Sequence, residues 1–128
     1  PRGERVWAAD EWAEMLANPS SHCLVIDEGA DILAALLLQT AGDEADILTI
    51  MTTPAKQPAG HARALLEDGI RRLSQMGIRR LLLEVAEDNH AARRLYTSTG
   101  FKTVGTRPGY YKRADGDAVD ALILACNF

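Results

Sequence analysis

Apolar residues recur along the chain at two different periods. Trp7, Ala8, Trp12, Met15 and Leu16 fall at helical spacing, and Asn18-Pro19 is placed to end that helix. Three short apolar runs follow: HCLVI (22–26), ILAALLLQT (32–40) and ILTIMT (47–52). They read as strands joined by the polar turns DEGAD (27–31) and AGDEAD (41–46). The loop TPAKQPAG (53–60) carries two prolines and a glycine. From Gly60 to Met76 the period is helical again, with Ala62, Leu65, Leu66, Ile70, Leu73 and Met76 on one face. Gly77 is placed to stop this helix. Arg79 to Val85 reads as a strand, Asn89 to Ser98 as a helix closed by Gly100, and Phe101 to Thr106 as a strand. The loop RPGYYKRADGD (107–117) leads to a last strand, AVDALILAC (118–126). This mixed order predicts an α/β or α+β sheet with helices packed on its faces.

Composition narrows the function classes. With 128 residues, 47% hydrophobic and 25% charged, the chain reads as one globular domain over 1–128 with one core. A net charge of −4 argues against broad nucleic-acid or anionic-membrane binding. No apolar run approaches the roughly 18 residues that span a bilayer, and PRGERVW has no secretory apolar segment. Cys23 and Cys126 lie far apart without metal spacing and read as two free buried thiols of a cytoplasmic protein. His22, His61 and His90 are scattered, so no metal site is expected.

Two stretches carry chemistry. Gln57-Pro58-Ala59-Gly60-His61-Ala62 follows a strand and opens a helix. A helix N-terminus offers free N–H groups and partial positive charge, which suits a phosphate, and small residues let a ligand approach the backbone. It is neither a P-loop nor a G-x-G-x-x-G motif, and alone it reads as a plain strand-to-helix loop. The second stretch, LLLEVAEDNHAARRLYTSTGF (81–101), interrupts an apolar strand with Glu84. Taken singly, Glu84 reads as a solvated residue on an edge strand, Asn89 as a helix N-cap and Tyr96 as a core aromatic whose hydroxyl reaches the surface.

Together the two stretches resemble the GCN5-related N-acetyltransferase (GNAT) superfamily. Gln57-x-x-Gly60-x-Ala62 is similar to its pyrophosphate loop, and Ile50-Met51-Thr52-Thr53-Pro54 to its bulged strand and trailing proline. Asn89-His90-Ala91-Ala92-Arg93-Arg94-Leu95-Tyr96, followed by Gly100-Phe101, resembles its N-x-x-A-x-x-L-Y-x-x-x-G-F pattern. Within the superfamily the chain resembles the RimI-type ribosomal-protein-alanine N-acetyltransferases. Leu83-Glu84-Val85, Gly109-Tyr110-Tyr111, Asp120-Ala121 and the Trp7–Leu16 segment carry that likeness.

The resemblance implies a mixed, mostly antiparallel sheet, splayed between the family's fourth and fifth strands, with helices on both faces. The family's first strand and helix have no counterpart ahead of Trp7, so the domain reads either as N-terminally truncated or as one that works without them. It also implies acetyl-CoA as cosubstrate. Ile50, Met51 and Thr52 would meet its pantetheine and acetyl group, Gln57, Pro58, Ala59, Gly60, His61, Ala62 and Arg63 its pyrophosphate, and Asn89 and Tyr96 the pantetheine and thioester. Glu84 would be the base and Tyr96 the acid, with Tyr110 and Tyr111 bracketing the acceptor. The implied acceptor is a protein or peptide N-terminus, such as a ribosomal protein's alanine, with no nucleic acid, membrane or metal involved.

There are departures. Pro58 has no N–H to give the loop, His61 replaces an aliphatic residue, and Thr52-Thr53 replaces an apolar-acidic pair. Three other readings compete: transfer to a small amine or lysine side chain, a non-catalytic acetyl-CoA-binding module, and a structural α/β domain.

Overall fold

The computed structural model describes residues 17–29, 31–52 and 60–128. The elements are β1 (Ser21–Glu28), β2 (Asp31–Ala41), β3 (Glu44–Thr52), α1 (His61–Gln75), β4 (Arg80–Ala86), α2 (His90–Ser98), β5 (Lys102–Lys112) and β6 (Ala118–Asn127). The six strands form a sheet in the order β1-β2-β3-β4-β6-β5. Every neighbouring pair is antiparallel except β3 and β4, whose parallel pairing is made by the crossover through α1. The helix expected at Trp7–Leu16 lies outside the described residues. Its expected stop is present as a turn, in which the Asn18 Oδ1 accepts the Ser20 N–H at 2.8 Å.

β2 is the centre of the core. Leu33 through Leu38 are all buried, so this strand is covered on both faces. Ala34, Leu36 and Leu38 join Leu65, Leu66 and Leu73 of α1 in one cluster with Leu81, Leu83, Val85, Tyr96 and Phe101. Gly69 lets α1 sit close to β2, since a Cβ there would lie 3.1 Å from Leu36 Cδ2. Cys126 is buried as expected, but Cys23, expected buried, is exposed because β1 is an edge strand. Met76, expected on the buried face, is instead 53% exposed. The helix ends at Gln75, and Gly77, at φ 87°, turns the chain. The Ile78 N–H then returns to the Leu73 carbonyl at 2.9 Å and buries Ile78 in Met76's stead. α2 closes likewise at Gly100, with the Phe101 N–H on the Tyr96 carbonyl at 3.0 Å.

Two boundaries that shape the cavity differ from expectation. The polar turn expected at 41–46 shrinks to Gly42-Asp43, because Glu44, Ala45 and Asp46 pair with both β2 and β4. β5, expected to stop at Thr106, runs to Lys112. Arg107 pairs with Ala121 and Tyr111 with Val119, so Pro108, Gly109 and Tyr110 bulge opposite Asp120 alone. Pro108 has no N–H for the ladder, and the bulge absorbs that gap before the strand resumes. Gly109, at φ 62°, donates its N–H to Asp120 Oδ1 at 2.8 Å.

Candidate active site

The site begins where the sheet splits. β3 and β4 pair through Glu44–Arg80, Ala45–Leu81 and Asp46–Leu82. Beyond that point β3 follows β2, while β4 follows β6 as far as Ala86. Leu37 faces Thr49 and Leu38 faces Ile47, which leaves Leu48 as a bulge that bends β3 away. A cavity of about 990 Å³ occupies the divergence. It is lined by β3 from Asp46 to Ile50, β4 from Leu82 to Glu84, Tyr96 of α2, Ile123 of β6, and Arg107 and Tyr110 to Ala114 around the end of β5.

Glu84 and Tyr96 reach this cavity from opposite sides. Strand side chains alternate, and Leu83 and Val85 join the core cluster that contains Tyr96, so Glu84 projects from the other face. β4 lies between β3 and β6, which removes the edge-strand reading of Glu84. The residue sits on an interior strand and lines a cavity. Its Oε1 is 3.3 Å from Arg107 Nη2. Tyr96 is only 4% exposed, and its ring packs edge-on against Phe101 with centroids 5.6 Å apart.

Ile50, Glu84, Tyr96, Tyr110 and Tyr111 therefore share one cavity. Met51 and Thr52 continue β3 past it. Gln57, Pro58 and Ala59 lie outside the described residues. Gly60 is the N-cap of α1, at φ 121° and without a side-chain cap, and the first turn carries no acidic residue. The N–H groups of His61, Ala62 and Arg63 thus have no intrahelical acceptor. The Arg63 guanidinium donates to Ser98 Oγ, tying the start of α1 to the end of α2. Asn89 caps α2, its Oδ1 accepting the Ala92 N–H at 3.2 Å. Asn89→Ala is expected to cost about 1 kcal/mol of stability, read by urea titration.

Tyr110 and Tyr111 pack edge-on at 5.2 Å. Arg107 lies 5.3 Å over the Tyr110 ring and Arg113 5.9 Å over the Tyr111 ring. Arg113 is itself held by Asp88, Nε to Oδ2 at 3.2 Å. The local sequence pattern puts Arg107 in a loop and Asp46 in a turn, which hides both as cavity residues.

Burial, followed by the nearby Glu44 carboxylate, pushes the Asp46 carboxyl above its ordinary range. The folded state then holds this proton more tightly than the unfolded chain, so stability falls as pH rises through the raised value. Asp46→Asn is expected to raise the melting temperature at neutral pH. The gain should vanish below about pH 3, where both states carry the proton. Paired melts across pH check this.

Known proteins share this architecture. Residues 2–101 match the model of the Acetyltransferase (GNAT) family. The [ribosomal protein bS18]-alanine N-acetyltransferase of Haemophilus ducreyi is 39% identical over 98 residues, covering 77% of this chain and 68% of the relative. The crystal structure of the ribosomal-protein-S18-alanine N-acetyltransferase from Escherichia coli superposes with a TM-score of 0.88 at 33% identity, over 94% of this chain and 77% of that one. A Bacillus subtilis acetyltransferase in complex with CoA shares the fold, with a TM-score of 0.80 at 16% identity over 94% of this chain and 84% of that one.

Proposed function

Because the chain belongs to the acetyltransferase (GNAT) family, we propose that it moves an acetyl group from acetyl-CoA to the N-terminal α-amine of a protein, a ribosomal protein's alanine terminus. The observation that carries this reading is the split between β3 and β4, whose cavity Tyr96 and Glu84 line from opposite faces of the sheet. Such a slot lets a thioester and an amine meet while each substrate keeps its own side. The names of the relatives in Haemophilus ducreyi and Escherichia coli supply the acceptor.

On this reading α1, which packs on the same face as Tyr96, marks the acetyl-CoA side. The uncapped N–H groups of His61, Ala62 and Arg63, with Gln57, Pro58, Ala59 and Gly60 ahead of them, serve the pyrophosphate. Ile50, Met51 and Thr52 present the backbone edge of β3 to the pantetheine, and Asn89 borders the same arm. Backbone N–H groups of β3 polarise the acetyl carbonyl. The acceptor enters past Tyr110 and Tyr111, and Glu84 takes its ammonium proton. An α-amine with a pKa near 7.7–8.0 needs a weaker base than lysine near 10.4. The amine nitrogen bonds to the carbonyl carbon, the carbon–sulfur bond breaks and the thiolate takes the Tyr96 phenol proton; the nitrogen's second proton leaves through water, which returns a proton to Tyr96.

An acceptor panel tests the assignment. Initial rates are measured with a free alanine-terminated peptide, a blocked peptide containing lysine, and a small aliphatic amine. Preference for the free terminus supports the reading. Equal or greater rates on lysine or the small amine overturn the acceptor class, and CoA binding without transfer to any of them overturns the enzyme.

A further inference from the structure

Arg107 is the residue whose placement the proposed chemistry leaves unexplained. It reaches Glu84 across a whole strand, since β6 lies between β4 and β5. The pairings explain how. Glu84 stands opposite Ile123, and Ile123 opposite Gly105. One step along the same face, Ala86 stands opposite Ala121, and Ala121 opposite Arg107. Ala86 and Ala121 are both 0% exposed. The alanine side chains in that row are small, and the arginine, one row along from Glu84, reaches diagonally across β6 to place its Nη2 3.3 Å from the carboxylate.

The backbone also sets Arg107 from both sides. Thr103 faces Leu124 while Gly105 faces Ile123, so Val104 is one bulge. The Pro108–Tyr110 bulge, pinned by the Gly109 N–H on Asp120 Oδ1, is the other. Bulges of this kind re-aim side chains. At its tip the guanidinium sits between Glu84 and the Tyr110 ring. With side chains 53% and 32% exposed, an ion pair of this type adds little to folding stability. Its geometry is better explained by what it does to the carboxylate.

We infer that Arg107 is a positioning residue for acetyl transfer: it fixes the orientation of the Glu84 carboxylate toward the acceptor side of the cavity and acts only through Glu84. The inference rests on Glu84 being the base. Its consequence is conditional: losing Arg107 matters when Glu84 is a carboxylate and not when position 84 is already disabled.

The test is a double-mutant cycle with Arg107→Ala, Glu84→Gln and the double variant, with Arg107→Lys alongside. Readouts are kcat on the alanine peptide, KM for acetyl-CoA and melting temperature. Arg107→Ala is expected to lower kcat by about 10-fold, the scale of a misoriented catalytic group, with KM for acetyl-CoA and melting temperature unchanged. Arg107→Lys should recover part of the loss, and Arg107→Ala should cost nothing further in the Glu84→Gln background. An equal loss in both backgrounds, or no loss in the first, overturns the inference. If Glu84→Gln alone leaves kcat unchanged, it is the assignment of Glu84 as base that fails.

Discussion

Glu84→Gln is expected to lower kcat for peptide acetylation by about 100-fold, the lower end of what a positioned general base contributes. Glutamine keeps the size and shape of the side chain but does not take up a proton at neutral pH. The position is part-exposed and outside the core cluster, so the loss should come without a drop in melting temperature. Acetyl-CoA binding should also be unchanged, because Glu84 projects from the face opposite Tyr96 and α1. The pH profile carries a further signature. The base is needed while the acceptor is an ammonium ion, so the deficit should narrow as pH rises past the α-amine's own value near 8. Stopped assays from neutral to alkaline pH read both effects, and a deficit constant with pH would count against proton removal as the role.

Tyr96→Phe is expected to lower kcat by a similar factor, about 100-fold, for a different reason. The substitution keeps the buried ring and its edge contact with Phe101 and removes the proton donor alone. KM for acetyl-CoA should change little, since the phenol proton is needed as the carbon–sulfur bond breaks. Tyr96→Ala separates chemistry from packing. It empties a buried site in the core cluster and should cost about 3–5 kcal/mol of stability. A Tyr96→Phe variant that transfers at the original rate would return Tyr96 to a purely structural role.

Element types were legible because periodicity and punctuation agreed. Gly77 and Gly100 sit at the turns that close α1 and α2, and the leucines at helical spacing in α1 are the buried ones. Asn89 showed its capping role by residue type and place. Local pattern carries less information about features that depend on a neighbour. Glu44 to Asp46 look like a polar turn until β4 arrives to pair with them. Pro108-Gly109 looks like the end of a strand, and it is a bulge only because Asp120 waits across the ladder. The Glu84–Arg107 contact crosses an intervening strand, a separation that neither helical nor strand period encodes. The strand bulge falls at Leu48, ahead of Ile50, because register with β2 decides it. The spacing of the resemblance brings Glu84 and Tyr96 forward as candidates, while their placement on opposite faces of the sheet depends on the topology.

The most direct measurement of the central claim follows an isotopically labelled acetyl group from acetyl-CoA to an alanine-terminated peptide that also contains lysine, with the product fragmented to locate the label. The expected result is label on the α-nitrogen of the terminal alanine, with unlabelled enzyme and unlabelled lysine. Label on the lysine side chain, or none on the peptide while CoA binds, would contradict it.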